Sequence, residues 1–232
     1  MITLATLWRT PFMFERFVRA GVLSLGLSLG LSVAFQPSLA RADDEVTIAE
    51  SDLDEAKRIV QSKQEELRNL LVSGAKDEEL HKKLNETLDY ESFAQRVFGR
   101  CASLCEGRTD HWSKIEEDSV KKAEIHELVK KYIRKHYLKK LKKAAKNGKY
   151  DVKILRAVAL SGGTIRVNTE LTFGNDSREA PLRISYLLWR GKIIDILTEG
   201  VPISKSWHKR VDKEMQAGGY DAVVKWLKDA SK

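Results

Sequence analysis

Ile165-Arg166-Val167-Asn168-Thr169-Glu170-Leu171-Thr172-Phe173 puts Ile165, Val167, Thr169, Leu171 and Phe173 on one side and polar residues on the other. A period of two is the mark of a β-strand with one buried face. Ser161-Gly162-Gly163 precedes it as a turn, and an earlier strand runs from Val152 and Ile154 to Leu160. Gly174-Asn175-Asp176-Ser177 reads as the next turn, before a third strand in which Leu182, Ile184, Tyr186 and Leu188 alternate. Arg190-Gly191 is a tight turn into a fourth strand, Lys192 to Leu197. Strands joined by such short turns form an antiparallel meander.

Upstream the period changes to 3.6. Ser51-Asp52-Leu53-Asp54 resembles a capping box, and Leu53, Ala56, Val60, Leu67, Leu70 and Leu71 recur at helical spacing up to Gly74. Leu80, Leu84 and Leu88 mark a second helix. Asp89 can cap a third, which carries Phe93, Val97 and Phe98 and stops at Gly99. Cys101 to Asp110 reads as a loop. A long helix is predicted from about Trp112 to Ala145, striped by Ile125, Leu128, Val129, Tyr132, Ile133, Tyr137, Leu141 and Ala144 and stopped by Asn147-Gly148. Two short helices near 204–216 and 220–230 flank Gly218-Gly219. Helices, then a meander, then helices define an α+β fold: N-terminal helices and one long helix on a curved four-stranded antiparallel sheet, with C-terminal helices.

Residues 1–42 read as an export signal. Arg9, Arg16 and Arg19 form a positive region, Ala20 to Phe35 is an uncharged run of 16 residues, and Ala40-Arg41-Ala42 is an A-x-A cleavage site. A membrane span needs about 20 apolar residues, so an uncleaved anchor is the weaker alternative. Residues 43–50 form a flexible leader, and 51–232 are expected to be one domain. Removing the four Arg and one Glu of residues 1–42 from the chain's 41 basic and 33 acidic residues leaves 37 and 32, a net charge of +5. That is not the charge of a dedicated nucleic-acid binder, and the chain lacks aromatics interleaved for base stacking. In a periplasm, Cys101 and Cys105 are expected to form a disulfide closing a small loop.

Beyond the export signal, residues 43–232 contain no G-x-S-x-G, P-loop, G-x-G-x-x-G or H-E-x-x-H. His81, His111, His126, His136 and His208 are scattered among polar residues, and no metal site or cofactor is expected. Asp195 and Glu199 are the acids that a hydrolase on this scaffold would use. If Ile194 and Ile196 face the core, however, Asp195 faces away. From Lys130 to Lys149 there are ten Lys or Arg and no acid. This is either the solvated face of the long helix or a footprint for lipid headgroups or an acidic partner. The apolar faces of helix and sheet either fill one another or leave a gap for an apolar ligand.

Several segments, in order, resemble the MlaC family, the periplasmic phospholipid-binding subunit of the Mla lipid-asymmetry transport system. Leu88-Asp89-Tyr90-Glu91-Ser92-Phe93-Ala94-Gln95-Arg96-Val97-Phe98-Gly99 is similar to that family's helix ending in a leucine- or phenylalanine-glycine step. Trp112 and the helix to Tyr137-Leu138 are similar to its tryptophan-led long helix. Ile184-Ser185-Tyr186-Leu187-Leu188 is similar to its sheet strand, and Asp195 to Val201 (DILTEGV) to its aspartate strand and Glu-Gly-Val turn. Gly219-Tyr220-Asp221 and Leu227 are similar to its closing helix. Trp112 lies thirteen residues after Gly99 where the family has about three, so Cys101–Asp110 reads as an insertion. Pro202 replaces a usual Ser, Trp207-His208 a usual Tyr-Arg, and Arg190-Gly191-Lys192 a usual Gly-x-Trp turn.

The resemblance implies an MlaC/NTF2-like fold and a lipid carrier rather than an enzyme. Its partners would be phospholipid, an inner-membrane ABC transporter complex and an outer-membrane lipoprotein/porin complex. With the alternation, it points to a pocket between Val129, Tyr132, Ile133 and Tyr137 of the long helix and Val167, Leu171, Ile184, Tyr186, Leu188, Ile194 and Ile196 of the sheet. A binding protein for another apolar ligand, such as a hopanoid or quinone, and a filled-core adaptor are the alternatives.

Overall fold

The computed structural model describes residues 47–146, 150–173 and 181–232. The export signal, the start of the leader, Asn147-Gly148 and the turn at Gly174–Ser177 lie outside the described residues, as do the side chains of Tyr137 and its neighbours to 141.

The meander is as the alternation predicts, with one addition. β1 (Tyr150–Ala159), β2 (Thr164–Phe173), β3 (Leu182–Trp189), β4 (Lys192–Thr198) and β5 (Val201–Pro202) form one antiparallel sheet in chain order. At the β3–β4 turn Arg190 and Gly191 both have positive φ (47° and 74°), the requirement of a two-residue hairpin matching strand twist. Glu199 and Gly200 repeat this at φ 50° and 80° and return the chain as β5, a strand of two residues. Pro202, which has no N–H to offer a neighbour, sits on that edge strand.

The helices are α1 (Glu50–Val72), α2 (Asp77–Thr87), α3 (Tyr90–Val97), α4 (Ser119–Lys146) and α5 (Ile203–Ala230). α1 starts one residue before the expected Ser51, and the Asp52 carboxylate accepts the Ala49 N–H at 3.0 Å. Asp89 caps α3, accepting the Ser92 N–H at 3.0 Å. The long helix begins later than the expected Trp112. Trp112–Lys114 is an isolated 3₁₀ turn, and the Asp118 carboxylate takes the N–H groups of Val120 and Lys121 at 3.1 Å each, fixing the start of α4. α5 joins the two expected C-terminal helices across a break at Gly218 and Gly219, whose φ is +66° at the second.

Two cores result. α3, α4, α5 and the 3₁₀ turn enclose one around Phe93, Phe98, Trp112, Ile125, Val129 and Leu227. The other lies between the sheet and α1, around Ala56, Val60, Val167, Ile184, Leu188 and Ile193. A backbone bridge between Leu88 and Ile193, with Asp89 N–H donating to the Ile193 carbonyl at 2.9 Å, ties the α2–α3 junction to β4.

Candidate functional site

The inner face of the sheet gathers six of the predicted residues. Val167, Leu171, Ile184, Tyr186 and Leu188 are buried there together, and Ile196 is half-buried beside them. Cross-strand register explains the grouping: Val167 faces Tyr186, Thr169 faces Ile184, and Tyr186 faces Ile196. α1 lies over this face through Ala56, Ile59 and Val60. Around the buried centre, Val152, Ile154, Leu182 and Leu71 are apolar yet only partly buried. Two hydroxyls interrupt this apolar face: that of Tyr186 accepts from Gln64 Nε2 of α1 at 2.7 Å, and that of Thr169 donates to the Ile184 carbonyl at 2.9 Å.

Ile194 does not belong to that face. Leu187 pairs with Asp195 but Leu188 pairs with Ile193, so Ile194 is an extra residue in a β-bulge. The bulge brings Ile193 to the inner face and sends Ile194 to the opposite one, where it is buried with Leu187 and Leu197 against Leu104, Leu160 and Trp189. Simple alternation cannot show such an insertion.

The long helix does not supply the other wall. Val129 and Ile133 are buried in the helical core, and Tyr132 sits edge-on to Trp207 of α5 with ring centres 4.2 Å apart. These three therefore face α3 and α5, and α1 is the helix over the sheet. Both helices carry an apolar stripe, and periodicity alone does not say which stripe meets which layer. Ala56 and Val60 were legible as part of a helical face but not as the cover of the sheet, and Ile59 was not singled out.

Asp195 lies on the outer face, as the alternation expects of a residue turned from Ile196, but it is fully buried there. It is held by charge and hydrogen bonds. Arg96 Nε donates at 3.0 Å, the Ile196 N–H at 2.9 Å and the Ser204 N–H at 3.3 Å, and the Ser204 hydroxyl also donates to it. Glu199 is exposed and accepts the Arg183 N–H at 3.2 Å, so the two acids are not paired as a hydrolase would need. Among the described residues no group of three His, Cys, Asp or Glu could hold a metal ion. No helix among them is long and apolar enough to cross a membrane.

The loop from Cys101 to Asp110 is built over this ion pair. Cys101 and Cys105 form a disulfide with Cα atoms 6.1 Å apart. Arg108 reaches under the loop and donates to the Arg96 carbonyl at 2.8 Å, Ser204 Oγ at 3.0 Å and the Leu104 carbonyl at 3.2 Å. Beside it, His111 Nε2 meets Asp212 Oδ1 at 2.7 Å, and His208 Nδ1 donates to the Val97 carbonyl at 3.0 Å.

Burial, and secondarily the positive charge of Arg108, hold the His208 pKa below the ordinary imidazole value of 6.5. His126 and His81 are lowered for the same leading reason. A lowered folded-state value means that the unfolded chain takes up the proton first, so stability rises with pH in the window between the two values. The neutral imidazoles contribute fully above pH 6.5, and that contribution is lost as pH falls through their folded values. Thermal melts between about pH 7 and pH 5, above the ordinary carboxylate range, should show a falling Tm. His208→Gln, which can still donate to Val97, should flatten the slope, and an unchanged slope would remove His208 from the account.

The family model described as MlaC protein matches residues 51–229, and the chain belongs to the MlaC family. Among solved structures it is similar to the phospholipid-binding protein from Ralstonia solanacearum, determined in complex with a phospholipid at 1.53 Å. That match has 15% identity and a TM-score of 0.59, and covers 76% of this chain and 96% of the other. At this identity the likeness establishes the fold. No curated protein matches the chain.

Proposed function

We propose that this protein is a periplasmic phospholipid carrier. It is exported by residues 1–42 and shields acyl chains between the inner sheet face and α1. One observation carries the reading: the inner face is apolar across the strands, yet Val152, Ile154, Leu182 and Leu71 around its centre keep part of their surface open. Each methylene buried there is worth about 0.8 kcal/mol, which is what a two-chain lipid must recover to leave a bilayer and cross water. No bond is made or broken, so binding and release suffice. The Ralstonia protein of the same fold, solved with a phospholipid, supports the ligand class. Delivery between an inner-membrane ABC transporter complex and an outer-membrane lipoprotein/porin complex is the role this reading assigns.

The six sheet residues remain in the proposed lining: Val167, Leu171, Ile184, Tyr186, Leu188 and Ile196. Ile193 takes the place of Ile194, and Ile59 and Val60 of α1 replace the residues of the long helix. Native mass spectrometry of the protein purified from cells tests this, followed by organic extraction and lipid analysis. A phospholipid adduct is expected on the parent and absent from Leu171→Arg. Leu182→Trp, which fills space at a half-buried position without burying a charge, should also lower occupancy while leaving the circular dichroism spectrum unchanged. A parent that remains apo after incubation with phospholipid vesicles overturns the proposal and favours a filled-core adaptor.

A further inference from the structure

We infer that the recess between α2, α4 and the C-terminal end of α5 is a binding site for the phosphate group of an anionic lipid headgroup at a membrane surface. The recess holds about 520 Å³, within the range of about 300–1,000 Å³ typical of small-molecule sites. Lys131, Arg134 and Lys135 of α4 line it, together with His81 of α2 and Ser231 beyond α5. Spaced three and four residues apart, the three cations share one face of the helix.

The charge accounting singles them out from the rest of the basic stretch. Lys130 is paired with Glu127 at 2.7 Å, and Lys142 with Asp77. Asp77 is the acid lining the recess, and Lys142 neutralises it. Glu127 is near enough to feel Lys131 and Arg134 but is already engaged by Lys130, and Glu78 lies close to His81. No ion pair involves Lys131, Arg134 or Lys135 among the described residues.

Two of the cations are also held in place. Arg134 Nη2 donates to Asn85 Oδ1 at 3.0 Å, and Lys135 Nζ to the Ala230 carbonyl at 3.2 Å. The Ser231 hydroxyl is buried beside them with no hydrogen bond made. A guanidinium, two ammonium groups and a hydroxyl converging on one concavity match a phosphate group. A recess open to solvent and bounded by three elements admits a headgroup presented at a membrane surface, whereas an extended acidic peptide needs a groove.

The test is co-sedimentation of the full protein with phosphatidylglycerol vesicles and with phosphatidylcholine vesicles at low ionic strength. Binding to the anionic vesicles alone is expected. It should fall by at least about tenfold in Lys131→Glu/Arg134→Glu/Lys135→Glu. It should persist in Lys205→Glu/Lys209→Glu/Lys213→Glu, which makes the same charge change at exposed positions on the first half of α5. Should the triple variant not fold, Lys131→Glu alone, at an exposed position, serves instead. Soluble glycerol phosphate provides the second arm. Displacement shows that the phosphate group itself is read, and failure to displace, with the variant difference intact, assigns the site to headgroups within a surface. Equal losses in both variants, no anionic-vesicle binding by the parent, or binding of poly-glutamate in place of vesicles would overturn the proposal. The inference does not rest on lipid carriage in the interior: native mass spectrometry reads the sheet face and co-sedimentation reads the recess.

Discussion

Asp195→Ala should destabilise the protein by about 3–5 kcal/mol, the cost of leaving one partner of a buried ion pair without its counter-charge. Arg96 is 2% exposed and Asp195 not at all, so no water can replace the lost carboxylate. The same change releases the N–H groups of Ile196 and Ser204 and the Ser204 hydroxyl, and removes the negative charge that favours the ionised form of half-buried Arg108. For a domain of this size the loss corresponds to a fall in Tm of roughly 10–15 °C, read by calorimetry or urea unfolding. Arg96→Leu/Asp195→Leu, which removes both charges, should recover most of it, because an apolar pair of similar size is often neutral against a buried salt bridge. A single variant that melts within about 2 °C of the parent would show that the pair carries little. This experiment also separates structure from chemistry, since Asp195 is explained by the ion pair without a catalytic role.

The second large effect is expected at Gly99, just beyond the end of α3, where the Cys101–Asp110 loop departs. Its φ is +94°, and a Cβ there would lie 2.0 Å from the Thr109 carbonyl oxygen, which is backbone and cannot swing aside. The two strands of the loop are further held by the His111 N–H donating to the Phe98 carbonyl at 2.8 Å. Gly99→Ala therefore combines left-handed strain of about 1–3 kcal/mol with overpacking of about 1–3 kcal/mol. Gly74→Ala is the matched control, with φ +72° and nothing within 4 Å of the added carbon. It should lose only the strain. Equal losses at the two positions in urea unfolding would mean that the loop moves aside at little cost.

Much of the sheet was legible because its turns and its alternation agree. Arg190-Gly191 sits between two period-two runs, and both residues adopt the positive φ that a tight hairpin demands. Other features leave weaker traces. A bulge adds one residue without disturbing composition, so Ile193 and Ile194 look equivalent in the sequence and end on opposite faces. The fifth strand has two residues, too short for any period. Asp118 was the available sign that the long helix begins late, since an Asp followed by a helical run is a capping signal.

The candidate site divides along the same line. Six residues on β2, β3 and β4 were found from alternation, because a sheet face is a property of the strand itself. The opposing wall was misassigned because it is a property of assembly. The stripes of α1 and α4 are both apolar, and the partner of each is set by tertiary contacts that no local pattern records. The loop at Cys101–Asp110 was legible as a polar, glycine-containing segment between two helical runs. Its seat over Arg96, Asp195 and Ser204 depends on Arg108, whose three hydrogen bonds join residues far apart in the chain.

That α1 covers the sheet also has a bearing on the order of folding. Each strand of the meander pairs with its neighbour in sequence, so the sheet closes only short loops. α1 must meet β1 and β2 across the whole of α2, α3 and α4, and loop closure of that length comes at a larger entropic cost. The sheet's inner face is thus expected to be covered by α1 after the strands have paired. Until α1 docks, that apolar face is open to association with other chains.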